Sequence, residues 1–103
     1  MTETSKTILD WGDATFGQVS DPAALARRAE TELAELIEAL EAGDTNEAGK
    51  EAADVAILLH RLMGCLGKDL QTEVDAKMTI NRQRKWCSAG DGTGGHTEKS
   101  PQE

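Results

Sequence analysis

The sequence holds no tyrosine, two tryptophans and one phenylalanine. That is too little aromatic surface for an aromatic-rich β-sandwich. Cysteine is scarce as well: Cys65 and Cys87 lack the paired spacing of a metal knuckle. No apolar run approaches the ~20 residues that a membrane span needs. The opening MTETSK lacks the basic-then-apolar pattern of a signal peptide, so we expect free thiols in a reducing cytoplasm, away from any membrane. Bases are outnumbered, 11 Lys and Arg against 19 Asp and Glu, for a net charge of −8. A polymeric nucleic acid would need a basic surface, so that class of partner is excluded. Only two histidines occur, and no Ser/His/Asp or Cys/His grouping supports covalent nucleophilic catalysis.

What is abundant is Ala, Leu and Glu, which favours helix. The chain of 103 residues makes one domain. Residues 87–103 carry one apolar residue besides Cys87, namely Ala89, so the fold is expected over residues 1–86. The remainder is a Gly-rich polar tail, disordered by composition unless it packs on a subunit or over a site. Ser5 is expected to cap a short helix that ends near Gly17. Asp21-Pro22 opens a second helix, running through Leu40 and stopping at Gly43. Thr45 or Asn46 caps a third, broken by Gly64 and Gly67, and Asp69 to Trp86 form the last. The fold class is therefore all-α: a helical hairpin, a third long helix and a short N-terminal one. One chain of this size cannot bury all three apolar stripes, so a homodimer or tetramer should complete the bundle.

The helical wheel contains an anomaly. Leu25, Ala29, Leu33, Leu36, Ile37 and Leu40 make one stripe, and Ala48, Ala52, Val55, Leu58, Leu59 and Leu62 make another. Yet Glu32 lies only about 20° from Leu25, with Glu35 one turn on. Glu51 falls inside the next stripe, with Glu47 and Asp54 along its edge. An ionised carboxylate out of water costs several kcal/mol unless it is paired or binds metal. Glu32, Glu35, Glu51 and Asp54 would also repel one another, and few cations lie near in sequence; Arg28 and Arg61 are candidates. A divalent cation resolves the conflict, and oxygen-only ligands favour Mg2+ or Mn2+ over Zn2+.

The last helix adds a second signal. Leu70, Val74, Lys77, Asn81 and Arg84 share one face, apolar at first and then basic. Bases continuing a buried stripe toward an acidic metal site would clamp phosphates. Arg82 and Lys85 point elsewhere. His60 lies on the far side of its helix from the leucines and reads as a surface or subunit contact.

The segments AETELAELIEAL, EAGKEAADVAILLHRL and VDAKMTINRQRKW together resemble the MazG-like all-α nucleoside triphosphate pyrophosphohydrolases, over about residues 22–86. The resemblance implies that Glu32, Glu35, Glu51 and Asp54 bind Mg2+, with Mn2+ an acceptable substitute, and that Lys77, Asn81 and Arg84 meet the nucleotide. The start LDWGDATFG is similar to a phage and bacterial subgroup of dATP/dGTP pyrophosphohydrolases, some of which serve phages that use 2-aminoadenine by converting dGTP to dGMP. On that resemblance the reaction is hydrolysis of a purine deoxynucleoside triphosphate to the monophosphate and pyrophosphate, in the host cytoplasm if the chain is phage-encoded. Glu35 is the candidate proton acceptor, and Trp11 and Phe16 are the candidates to stack on the base or, alternatively, to pack the core. The rivals are a dUTP- or dCTP-cleaving member of the superfamily and a non-enzymatic acidic helical interaction module.

Overall fold

The structure is a computed structural model, and it describes residues 2–96. Four helices follow in order: α1 (Ser5–Phe16), α2 (Ala23–Glu41), α3 (Thr45–Cys65) and α4 (Leu70–Gln83). Two short strands, β1 (Trp86–Ser88) and β2 (Gly94–His96), complete them. The chain forms two compact units, Met1–Thr72 and Glu73–Glu103. No helix among the described residues is long and apolar enough to cross a membrane. Both cysteines are free thiols.

In the first unit α2 and α3 make the expected hairpin, and α1 packs on α3. The two long helices end in the same way. Gly43 and Gly67 take φ of +72° and +71°, a left-handed conformation that only glycine adopts without strain. The next amides reach back, Asp44 N–H to the Ala39 carbonyl at 3.0 Å and Lys68 N–H to that of Met63 at 2.8 Å. These are Schellman closures. An aspartate then caps each following helix: Asp44 accepts from Glu47 N–H at 3.0 Å and Asp69 from Thr72 N–H at 3.2 Å. The cap of α3 is thus Asp44, not Thr45 or Asn46. Gly64 does not break α3 but lies within it, and its missing side chain lets α1 approach, because a Cβ there would crowd Leu9.

The N-terminal cap is Thr4 rather than Ser5. The Thr7 amide donates to the Thr4 hydroxyl at 3.1 Å and the Thr4 amide to the Thr7 hydroxyl at 2.8 Å, a capping box. Ser5 is wholly buried and serves as a knot instead. Its amide donates to Asp69 Oδ1 at 3.1 Å, and its hydroxyl accepts from Leu70 N–H at 2.8 Å. That hydroxyl also meets His60 Nδ1 at 2.9 Å. His60 is accordingly half-buried within the unit, tying α1 to the end of α3.

The buried side of α2 has a shifted phase. Leu25, Ala29 and Ala39 are buried and Leu36 half-buried, so the seam runs 25, 29, 32, 36, 39 with Glu32 on its line. Leu33, Ile37 and Leu40, expected in the core, are 44%, 55% and 61% exposed. They form a shoulder stripe that the single chain leaves in water. The facing seam on α3 runs 48, 51, 55, 58, 62: Ala48 is buried and the others, Glu51 among them, are half-buried.

In the second unit, α4 ends at Gln83 rather than Trp86. The Trp86 indole N–H donates to the Asn81 carbonyl at 2.7 Å and so satisfies an end-of-helix acceptor. From Trp86 the chain pairs antiparallel with residues 94–96, and Trp86 meets His96 edge-to-face at 5.7 Å. Asp91 holds the hairpin tip, accepting from the Thr93 hydroxyl and amide at 2.6 and 3.0 Å, and these bonds hold its carboxyl below the usual range. Residues 87–96 of the tail are therefore a hairpin and not a composition-driven coil; residues 97–103 of that tail lie outside the described residues. No residue of α4 is fully buried: on the stripe expected to be buried, Val74 is 44% exposed and Lys77 is exposed, while Leu70 and Asn81 are half-buried.

Candidate active site

Glu32 and Glu35 stand one turn apart on α2, and Glu51 faces them from α3. One carboxylate oxygen from each lies within 4.8 Å of the others. Glu51 carries the tension of this arrangement. Its Oε2 is fully enclosed and has no hydrogen-bond partner. Loss of water, together with the Glu32, Glu35 and Glu47 carboxyls beside it, lifts its pKa from 4.5 to about 7. Glu47, one turn before Glu51, is a neighbour that we did not number among the site residues. Its place on the edge of the α3 stripe was the available signal.

The orphaned Glu51 oxygen and the crowding of like charge are what a cation would relieve. The donors are all carboxylate oxygen, which fits a hard divalent cation such as Mg2+ or Mn2+ and not zinc. Asp54 lies outside the group of three. It is exposed and lines a neighbouring cleft together with Glu32.

That cleft, of about 620 Å³, runs between α1, α2 and α3. Its far wall holds Trp11 and Phe16, which meet edge-to-face at 5.6 Å. They are 54% and 69% exposed, so they are not core residues of this unit. Arg28 and the buried Arg61 also line it. One space thus has carboxylates at one end and aromatic rings at the other. A ligand with a charged, metal-binding part and a flat part matches it.

Lys77, Asn81 and Arg84 belong to the second unit. Lys77 and Asn81 are on α4, and Arg84 lies just past its end, so the shared helical face expected for all three stops short of Arg84. Asn81 has its Oδ1 enclosed without a partner.

No protein-family model matches the sequence, and no curated protein matches it. Among solved structures the chain is similar to the cyanophage S-2L MazG-like pyrophosphohydrolase bound to dGDP and three catalytic Mn2+ ions per active site. The two are 31% identical, with 93% of this chain and 91% of that chain covered and a TM-score of 0.72. With that identity along nearly the whole of both chains, and with the all-α hairpin in common, this chain belongs to the MazG-like pyrophosphohydrolases.

Proposed function

We propose that the enzyme hydrolyses purine deoxynucleoside triphosphates, dGTP or dATP, to the monophosphate and pyrophosphate, with Mg2+ or Mn2+ as cofactor. The convergence of Glu32, Glu35 and Glu51 beside an aromatic-walled cleft carries this reading. Those three glutamates, with Asp54, would hold the cations. When bound, the cations neutralise phosphate charge and acidify the attacking water. Glu35, the exposed member of the group, would accept that water's proton. Lys77 and Arg84 hold phosphate oxygens, and Asn81 offers its unpartnered carbonyl oxygen to the sugar or to a coordinated water. Trp11 and Phe16 stack on the base.

The purine preference draws on the LDWGDATFG segment and on the relative's bound dGDP. In a cell, such an activity on dGTP would supply dGMP for 2-aminoadenine nucleotide synthesis. The exposed stripe Leu33, Ile37 and Leu40 supports assembly into a dimer or tetramer, which sedimentation of the purified protein would reveal. The decisive experiment is a panel of eight triphosphates, with phosphate release coupled to inorganic pyrophosphatase, with and without EDTA. Cation-dependent turnover fastest on a purine deoxynucleotide is expected. Turnover fastest on dUTP or dCTP would overturn the purine reading, and none on any triphosphate would overturn the whole.

A further inference from the structure

Arg61 is the buried charge of the cleft. It is 7% exposed, and its Nε is enclosed without a hydrogen-bond partner. Neither Lys6–Asp10 nor Arg27–Asp21, the ion pairs of α1 and of the start of α2, involves it. Taking a guanidinium N–H such as Nε out of water without an acceptor is unfavourable. Only the Phe16 ring, 5.4 Å from Cζ, offsets this, through a cation–π contact. Yet the fold makes room for the group: a Cβ at Gly12 would overlap Nε and Cζ. The donors are therefore held ready, and the acceptor must come from whatever fills the cleft.

Position along α3 indicates which part of that occupant arrives. Arg61 lies seven residues after Asp54, about 10 Å along the helix. It rests against α1 at Gly12 and Phe16, which is the aromatic end of the cleft and not the carboxylate end. Of the parts of such an occupant, the edge of a ring stacked near Phe16 is the one that lies beside it.

We propose that Arg61 is the residue that selects guanine over adenine, its fork donating to O6 and N7 of the base. This rests on the purine nucleotide reading above. Guanine presents two adjacent acceptors on that edge, which a guanidinium meets with two parallel N–H donors. Adenine presents N7 beside an amino group, so one guanidinium N–H would face another donor inside a buried site, and that is how a polar pocket rejects a near-isostere. Stacking on Trp11 and Phe16 favours both purines and cannot make this distinction.

The test compares kcat/KM for dGTP and dATP in the wild type, Arg61→Met and Arg61→Lys. The methionine keeps the apolar stem, and the lysine keeps the charge without the fork. The dGTP/dATP ratio should fall by about 5- to 150-fold in Arg61→Met and be only partly retained in Arg61→Lys. An equal loss on both purines, with the ratio unchanged, would overturn the proposal and make Arg61 a phosphate or packing residue. Wild-type enzyme supplies a second arm that no folding defect can spoil. 7-Deaza-dGTP, which keeps O6 but lacks N7, should be cleaved less well than dGTP through loss of one of the two fork bonds, whereas dITP, which keeps O6 and N7, should keep the advantage over dATP; 7-deaza-dGTP cleaved as well as dGTP, or dITP cleaved no better than dATP, overturns the proposal. Calorimetric titration with dGMP and dAMP in EDTA reads the same discrimination without turnover. Equal binding of the two overturns the Arg61 assignment even where hydrolysis stands. Failure of the wild type to cleave any purine triphosphate marks instead the failure of the underlying reading.

Discussion

Glu51 and Arg61 are ten residues apart on α3, and both are charges drawn out of water on the inner side of one hairpin. Their surroundings are opposite. Glu51 is crowded by groups of its own sign and resists ionising. Arg61 has its Nε enclosed without an acceptor and rests on an aromatic ring. The first environment lacks positive charge; the second lacks an acceptor. Neither makes sense as packing, since a hydrophobic residue of similar volume would do as well or better. Each makes sense as half of a contact. On the proposed function, the two missing halves, a cation cluster and an acceptor-bearing ring edge, would be the two ends of a metal-bound purine nucleotide.

The largest expected effect is at the acidic end. EDTA should abolish turnover, and Mg2+ or Mn2+ should restore it. Glu51→Gln should lower kcat by on the order of a thousandfold or more, because several kcal/mol of charge stabilisation depends on the cations it helps to hold. Pyrophosphate release that persists undiminished in EDTA would break the comparison at its first term.

A smaller loss is expected from the second unit. Lys77→Ala should cost about 10- to 1000-fold in kcat/KM, the range for removing a charged transition-state contact. Arg82→Ala should cost little. Matching losses at residues 77 and 82 would show that general positive charge, and not a directed contact, serves the phosphates. Arg84 is the sharper case: beyond the end of α4 it no longer shares Lys77's helical face, so any comparable loss at Arg84→Ala must come from the turn geometry and not from helix phase.

How far these features were legible in the sequence follows from what each depends on. The four helices and the 32/35/51 constellation could be read because both rest on local periodicity, and a glutamate in an apolar stripe is visible at any phase. The seam of α2 was misplaced by about one residue because Leu33, Ile37 and Leu40 are as apolar as Leu36; only the partner α3 decides which of two adjacent stripes is covered. Ser5 looked like a cap because serine caps helices, but a threonine stood beside it and His60 and Asp69 claimed its hydroxyl and amide. That pairing spans 55 to 64 residues and leaves no local signature. Arg61 could be read only as a candidate counter-charge to the carboxylates, since its burial depends on Gly12 of another helix. Its place one turn after Leu58 on the cleft-facing side was the signal. The end of α4 was overrun because a run of Arg and Lys suits a helix C-terminus, while the Trp86 indole bond that terminates it is made by a side chain five residues on.

The basic end can be perturbed from α1 without touching the arginine. Gly12→Ala places a methyl where Nε and Cζ now sit, so the guanidinium must move. The dGTP/dATP ratio should then drop by about 5- to 50-fold, less than or equal to the effect of losing the fork outright. Trp11→Ala makes a different cut. It should narrow the purine–pyrimidine gap by at most about 30-fold, the difference between strong and weak stacking at ~1–3 kcal/mol per base, while leaving the guanine–adenine ratio near its wild-type value. If instead Trp11→Ala slows every base alike, the ring supports the cleft wall and does not read the nucleotide.

The smallest effect concerns stability and isolates Glu51 from the chemistry. In EDTA its carboxyl has a pKa near 7 in the folded protein against 4.5 ordinarily. Below pH 4.5 it is protonated in both states, and its contribution to stability is fully present. Between pH 4.5 and 7 the unfolded chain releases the proton while the folded protein keeps it, so stability declines as pH rises. Above 7 both states are ionised and the decline ends. Glu51→Gln has the shape of the protonated form and nothing to titrate, so it should lack this component. Thermal midpoints in EDTA should therefore favour the variant increasingly from pH 5 to pH 7, with no further gain at pH 8. Saturating Mn2+ should reverse the order, because the ion binds the ionised carboxylate that the variant cannot supply. Parallel melting curves for the two proteins across that range would mean that Glu51 is solvated like any surface glutamate, and that the acidic end of α3 is not under the strain that distinguishes it from the basic one.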